Sequence, residues 1–253
     1  MVFYNKIYCG SALNMKEIPN ESVDLIVTSP PYNVGIEYDN YTDDLPFDDY
    51  LFFLMKTWKE CWRVLKSGGR ICINICNVHR QPYVHYSGLI AQQLVQIGYT
   101  LRGEVIWDKG GSARASTAWG SWQSPSNPTL RDGHEYIIIA HKLESKLQHN
   151  GKTDMSKRDF TTYTLGEWYF RPKSTNKKHP VPFPLELPLR CIKLYSFIGD
   201  VVLDPFMGSG TTAFAAKMLK RNYIGYDISE KYCKLSREKV RAQFLHDFID
   251  RNQ

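Results

Sequence analysis

The sequence has no apolar run approaching the roughly 20 residues that a helical membrane span requires, so no transmembrane segment is expected. Its opening, MVFYNKIYCG, has neither the charged region nor the long apolar region of a secretory leader, and a cytoplasmic protein is expected. Cysteine is sparse: Cys9, Cys61, Cys72, Cys76, Cys191 and Cys233 lie scattered through the chain. They offer no second close pair to complete a zinc site, so free buried thiols and no metal centre are expected. Cys72 and Cys76 fall at an even spacing in RICINIC, which puts both on one face of a strand. There is no internal repeat and no low-complexity tract. The phosphate-cradling GxxxxGK[ST] motif is absent, and so is a full GxGxxG dinucleotide fingerprint.

What is present is an alternation of short apolar runs and amphipathic stretches. KIYCG, VDLIV, RICINIC, YTLRGEVIWDK, HEYIIIAHK, DVVLD and NYIGYD read as strands. ALNMKEIP, FDDYLFFLMKTWKECWRVLKSGG, YSGLIAQQLVQIG, ELPLRCIKLYS, TTAFAAKMLK and SEKYCKLSREKVRAQFLHDF read as helices. The second of these opens on acids and closes on Gly68-Gly69, as the helix dipole and C-cap preferences favour. Alternation of this kind predicts an α/β fold, a doubly wound and mostly parallel sheet with helices on both faces. The 253 residues suffice for one large core of this type. The net charge of +6 suits a polyanionic partner but is too common to identify one.

Two stretches break the rhythm. Residues 110–133 are rich in Gly, Ser, Pro and Trp, and residues 143–178 are polar, with Lys and Arg interleaved with aromatics. Loops of this length in a compact domain are usually functional or disordered. Two strand ends are unusual as well. VDLIV runs directly into Thr28-Ser29-Pro30-Pro31-Tyr32-Asn33, where the prolines stop the strand abruptly. VVLD ends at Asp204 and passes through Pro205, Phe206 and the Gly208-Ser209-Gly210 turn into the helix opening on Thr211-Thr212. Glycine lets backbone approach a ligand, and the free N–H groups of a helix start can bind it. NYIGYD then ends at Asp227, a carboxylate suited to two ribose hydroxyls. Strand, glycine turn, helix, strand and acid together favour a nucleoside-bearing cofactor.

With these residues in view, the chain resembles the amino-group DNA methyltransferases. DPFMGSGTT resembles their S-adenosyl-L-methionine motif, and TSPPYN their catalytic (D/N/S)PP(Y/F/W) motif. Catalytic motif first and cofactor motif last is the order of the β group. The resemblance implies a seven-stranded Rossmann-like methyltransferase sheet, with one antiparallel strand near an edge. It also implies a catalytic half at 1–142, including a DNA-facing loop at 110–133. A target-recognition segment at 143–178 and a cofactor half at 179–253 would complete the chain. Asp204, Pro205, Phe206, Gly208, Ser209, Gly210, Thr211 and Thr212 would wrap the methionine part of the cofactor, and Asp227 its ribose. His179, Pro180, Phe183 and Pro184 would line the amino-acid end, although many relatives have lysine where Phe183 stands. Ser11 falls where many relatives carry an acid near the adenine.

The same resemblance gives the opening motif a task. Ser29 Oγ and the Pro30 carbonyl would each accept one hydrogen of an exocyclic amine, with Pro31 stiffening the corner and Tyr32 stacking on a flipped base. Serine in the first position favours the N4 amine of cytosine, and the N6 amine of adenine is the alternative. Methylation at ring carbon 5 needs a nucleophilic Cys, usually after proline, and no cysteine here follows one. Arg114, Arg131, Arg158, Arg171 and Lys173, with Trp119, Trp122, Trp168 and Tyr169, are the expected contacts to double-stranded DNA. A homodimer is an expected assembly, and any cognate restriction endonuclease is expected to be a separate chain. A DNA-binding protein that keeps the fold without transferring a methyl group is the reading from a different class.

Overall fold

A computed structural model of the chain describes residues 3–39, 41–77, 82–110, 120–130, 132–172 and 184–250. The first half holds β1 (Lys6–Cys9), β2 (Val23–Thr28), a short hairpin of β3 (Glu37–Tyr38) and β4 (Tyr41–Thr42), α1 (Phe47–Val64) and β5 (Leu65–Ile75). It continues with α2 (Tyr86–Ile97), β6 (Thr100–Asp108) and β7 (His134–His141). The remainder comprises α3 (Lys157–Tyr163), β8 (Glu167–Tyr169), α4 (Glu186–Tyr195), β9 (Val201–Asp204), α5 (Thr211–Met218), β10 (Asn222–Asp227) and α6 (Glu230–Asp250).

The main sheet has eight strands in the order β1-β10-β9-β2-β5-β7-β6-β8. The strands expected from the sequence account for seven of them. The eighth, β8, comes from the inserted segment and pairs parallel to β6 at the outer edge. Only β7 runs against its neighbours, β5 and β6. Residues alternate across the sheet as period-two geometry requires. Leu25 and Val27 of β2 join Leu187, Cys191 and Ile192 of α4 and Ala215 of α5 in the core on one face. Ile26 joins Leu54, Trp58 and Cys61 of α1 and Ile90 and Leu94 of α2 on the other. In α1 the buried Tyr50, Leu54, Trp58 and Cys61 form a helical stripe, and Asp48 and Asp49 stand at its N-terminus.

Three local expectations are corrected. ALNMKEIP is not a helix but a run of turns. Met15 and Ile18 are both fully buried, and α1 satisfies the backbone that a helix would have bonded internally. Arg63 donates to the carbonyls of Met15 and Ile18, each at 3.0 Å, and Met15 N–H donates to Glu60 at 2.8 Å. Gly68-Gly69 does not cap α1; the helix ends at Leu65, which is already extended, and the glycines lie in β5. There the register slips between Val23 and Leu25 of β2. A side chain at Gly68, whose φ is +77°, would overlap the backbone of Lys146. All six cysteines are free, but Cys9 is exposed and Cys76 lies just past the end of β5. Among the described residues, no helix is long and apolar enough to cross a membrane.

The inserted segment is strapped along the amino edge of the sheet, where the parallel strands begin. Ser145 O accepts from Arg70 and Arg102, each at 3.0 Å, and His149 lies 2.8 Å from Asp200, just ahead of β9. Asp154 pairs with both terminal nitrogens of Arg221, just ahead of β10, at 2.8 Å. Asp159 pairs with Lys193, in the last turn of α4, at 2.7 Å. Only with β8 does the chain turn back toward the carboxyl edge. Trp168 anchors that return: it is fully buried, and the Arg190 guanidinium lies 5.3 Å from its ring, 4.9 Å from Tyr163 and 5.0 Å from Phe170. Trp168→Ala is expected to cost about 3–5 kcal/mol, as large-to-small changes at buried aromatics do; urea unfolding monitored by circular dichroism measures it.

Candidate active site

β2 and β9 are neighbours in the sheet, so their carboxyl ends, 176 residues apart in sequence, emerge side by side. Asp204 closes β9, is fully buried, and uses its carboxylate for bracing. Oδ1 accepts from Thr28 Oγ1 at 2.7 Å and from Phe206 N at 3.0 Å, and Oδ2 accepts from Thr212 Oγ1 at 2.7 Å. One side chain thus ties the residue before the SPPY corner to the turn after β9 and to the first turn of α5. Burial raises its pKa from 3.8 to about 6, against the lowering effect of these three donors.

The glycine turn is shaped from both sides. Gly210 has φ +80°, and a Cβ there would meet Ser236 of α6 at 2.9 Å. Ser236 Oγ donates to the Gly208 carbonyl at 2.6 Å, and Gly208 N–H donates to Asp227 Oδ2 at 2.8 Å. Asp227 Oδ1 accepts from Ser229 N at 2.9 Å, so each oxygen keeps a lone pair for a further donor. Burial raises the Asp227 pKa, partly offset by the two backbone donors. Ile228 beside it is exposed, and Gly10 N–H donates to the Asp227 carbonyl at 2.9 Å, which brings exposed Ser11 close by. Phe206 packs on Phe53 and Trp58, with ring centroids at 5.8 and 6.4 Å.

At the SPPY corner Pro30 is buried, and Ser29, Pro31 and Tyr32 are half-buried. The Pro31 carbonyl accepts from Tyr50 at 2.6 Å. Ser29 Oγ donates to the Tyr32 hydroxyl at 3.0 Å, and Tyr32 donates to Glu135 Oε2 at 2.9 Å. Asn74 Nδ2 donates both to Tyr32 OH, at 2.8 Å, and to Glu135 Oε2, at 2.6 Å; Lys109 Nζ lies 2.5 Å from Glu135 Oε1. Glu135, Asn74 and Lys109 were missed by sequence reasoning. The register signal existed, because Glu135 is a charged residue heading the apolar strand HEYIIIAHK, but its partners are distant in sequence.

The remaining predicted residues separate by place. The described part of the 110–133 loop leaves the carboxyl edge at β6 and returns at β7, beside Lys109 and Glu135, with Trp122 half exposed. Arg171 is exposed just past the carboxyl end of β8. Arg158 is exposed at the start of α3, next to the Asp159–Lys193 pair, and so stands at the amino edge, away from the corner. Trp168 is core and not a contact surface, whereas Tyr169 is exposed. Arg114, Trp119, Arg131, Lys173, His179, Pro180 and Phe183 lie outside the described residues; Pro184 is buried.

A mostly parallel sheet that sets a carboxylate at the end of β10, a glycine turn after β9 and a polar SPPY corner after β2 side by side defines an α/β methyltransferase. A model of the N6/N4 methyltransferase family, described as DNA methylase, matches residues 23–238, and the chain belongs to that family. The chain is 32% identical to the type II methyltransferase M.MjaI of Methanocaldococcus jannaschii over 280 aligned positions, covering 93% of this chain and 91% of that one. It is 29% identical to the DNA adenine methyltransferase YhdJ of Escherichia coli, covering 91% and 81%. The structure of TTHA0409 from Thermus thermophilus in complex with S-adenosyl-L-methionine superposes with a TM-score of 0.75 at 28% identity, covering 93% and 92%. This protein is therefore a DNA methyltransferase, and its methyl donor is S-adenosyl-L-methionine. The donor set fits that group: a carboxylate with a spare lone pair on each oxygen and an exposed isoleucine at its side, next to the glycine turn.

The raised Asp204 pKa makes a signed prediction. The folded state holds this proton more tightly than the unfolded chain, so its stabilising effect is complete below pH 3.8 and is lost as pH rises through about 6. Asp204→Asn removes the titration. Urea melts at pH 4, 5 and 7 are expected to move the stability difference in the variant's favour by on the order of 3 kcal/mol between the ends of that range.

Proposed function

We propose that the enzyme methylates the N4 amine of a cytosine flipped out of double-stranded DNA at a specific sequence. The observation that carries this reading is Ser29 at the mouth of the corner, with its only hydrogen committed to Tyr32. S-adenosyl-L-methionine supplies a methyl group activated by its sulfonium. What the chain's own residues add is placement of the amine. Ser29 Oγ accepts one N–H. The Pro31 carbonyl is occupied by Tyr50, so the second acceptor is the carbonyl of Pro30. Two fixed acceptors draw both hydrogens to one side of the base and leave the nitrogen lone pair facing the methyl carbon. Proline holds the corner because its ring fixes φ. A neutral hydroxyl does not deprotonate an amine, so the rate rests on preorganisation.

Asp227 is assigned to the ribose, the Gly208–Gly210 turn and Phe206 to the methionine end, and Ile228 to the adenine face. Asp204 supports this site from behind as a brace. His179, Pro180 and Phe183 remain proposed for the amino-acid end of the cofactor. Sequence recognition is assigned to the 110–133 loop with Arg114, Trp119, Trp122 and Arg131, and to the return from β8 with Tyr169, Arg171 and Lys173. The leading half of the 143–178 segment, Arg158 included, serves instead as a strap. Association as a homodimer and pairing with a separate restriction endonuclease belong to the same proposal. Adenine N6 is the second reading, favoured by the similarity to YhdJ.

Two measurements test the proposal. DNA from a methylation-free host, treated with enzyme and methyl-labelled cofactor, is digested to nucleosides and analysed by mass spectrometry: N4-methylcytosine is expected, and N6-methyladenine instead overturns the base assignment. Asp227→Ala is expected to weaken cofactor binding by about 10–100-fold in calorimetry, the scale of losing hydrogen bonds to a charged acceptor. An unchanged affinity would sink the ribose assignment.

A further inference from the structure

The hydrogen bonds around Glu135 have a direction, and the direction is fixed at one end. Glu135 heads β7, is buried, and has Lys109 Nζ against Oε1. A carboxylate paired with an ammonium has no hydrogen to give. Oε2 therefore only accepts, and both Tyr32 OH and Asn74 Nδ2 donate to it. Burial and the neighbouring Glu135 hold the Tyr32 phenol well above its ordinary pKa, so it keeps its hydrogen. With that hydrogen given to Glu135, the phenol oxygen can only accept. It does so from the second Asn74 amide hydrogen and from Ser29 Oγ. Ser29 has one hydrogen, and it points away from the site.

We propose that Glu135, acting through Asn74 and Tyr32, is a positioning residue that makes Ser29 an acceptor-only group toward the substrate amine. The proposal rests on the reading of Ser29 as an amine acceptor and deepens it. A free serine hydroxyl rotates and offers either a hydrogen or a lone pair. An exocyclic NH2 needs a lone pair, and a hydrogen aimed at it repels. The chain running to Glu135 removes the wrong rotamer before substrate arrives. Asn74 shows the cost of this arrangement. It is buried, and its Oδ1 has no hydrogen-bond partner among the described residues. A buried unpaired carbonyl costs about 1–3 kcal/mol, which is consistent with a side chain held there for its two donors.

Glu135→Gln tests the direction. Lys109 repels an amide NH2, so the glutamine must keep its oxygen toward Lys109 and turn its nitrogen toward Tyr32. Asn74 Nδ2 faces that nitrogen too, so Asn74 turns its unpaired Oδ1 toward it. Tyr32, now accepting from Gln, gives its hydrogen to Ser29, whose own hydrogen swings toward the amine. Single-turnover methyl transfer from labelled S-adenosyl-L-methionine to double-stranded DNA from a methylation-free host would compare wild type, Ser29→Ala, Tyr32→Phe, Glu135→Gln and the Tyr32→Phe/Glu135→Gln double variant. Glu135→Gln is expected to slow the transfer step about 100-fold, the scale of losing one preorganised polar contact to a reacting group. Cofactor affinity and DNA KM should stay within about twofold, and the double variant should be no slower than the slower single variant, because among the described residues Tyr32 alone links Glu135 to Ser29. Transfer near the wild-type rate in Glu135→Gln or Tyr32→Phe, with Ser29→Ala impaired, overturns the proposal and leaves the serine clamp standing. Losses that multiply in the double variant also overturn it, since they mean independent roles. A wild-type rate in Ser29→Ala removes the clamp reading itself, and the proposal with it. Should Glu135→Gln fail to fold, Tyr32→Phe, which keeps the ring, decides the question.

Discussion

The arrangement of this enzyme depends on the buried carboxylate of Asp204. It accepts from Thr28, Phe206 and Thr212, and so joins the end of β2, the turn after β9 and the start of α5. In the function proposed for this chain those three carry different jobs: the amine corner, the methionine end of the cofactor site and the helix that follows it. A methyl transfer requires nitrogen, methyl carbon and sulfur in line, and small displacements of either reactant are costly. A carboxylate inside the sheet is a destabilising way to hold that line, as the raised pKa shows. Its three donors partly offset the desolvation and leave no oxygen idle.

The sheet divides the molecule by edge. At the carboxyl edge lie the SPPY corner, the glycine turn, Asp227 and both ends of the 110–133 loop. At the amino edge lie the contacts that hold the inserted segment: Ser145, His149, Asp154 and Asp159 against Arg70, Arg102, Asp200, Arg221 and Lys193. The insertion therefore does two mechanical things in sequence. It first fastens itself to the amino edge of the sheet, then extends the sheet with β8 and delivers Tyr169 and Arg171 toward the functional edge. Open α/β sheets bind ligands at the carboxyl ends of their strands, and this division follows that rule.

Much of the fold was legible in the sequence because its signals are local. Buried parallel strands appear as β-branched runs, α1 shows its stripe, and proline and glycine mark the two functional strand ends. The failures were local signals overruled by distant partners. ALNMKEIP has the pattern of a helix, but Arg63 takes its carbonyls. Gly68-Gly69 has the composition of a C-cap, but both lie in β5, where Gly68 leaves room for the backbone of Lys146. Trp168 has the composition of a contact surface, but it is fully buried against Arg190.

The sequence by itself determined the family, the cofactor and the two motifs, since each motif is contiguous and its chemistry follows from residues adjacent in the chain. The tertiary structure alone decided which way the hydrogens run at the corner. Ser29, Tyr32, Asn74, Lys109 and Glu135 come from the ends of four strands, and only pairing β5 with β7 and β7 with β6 brings them within hydrogen-bond reach. Direction in a hydrogen-bond chain is set by its terminal group, and here that group is a carboxylate about a hundred residues away from the serine it orients.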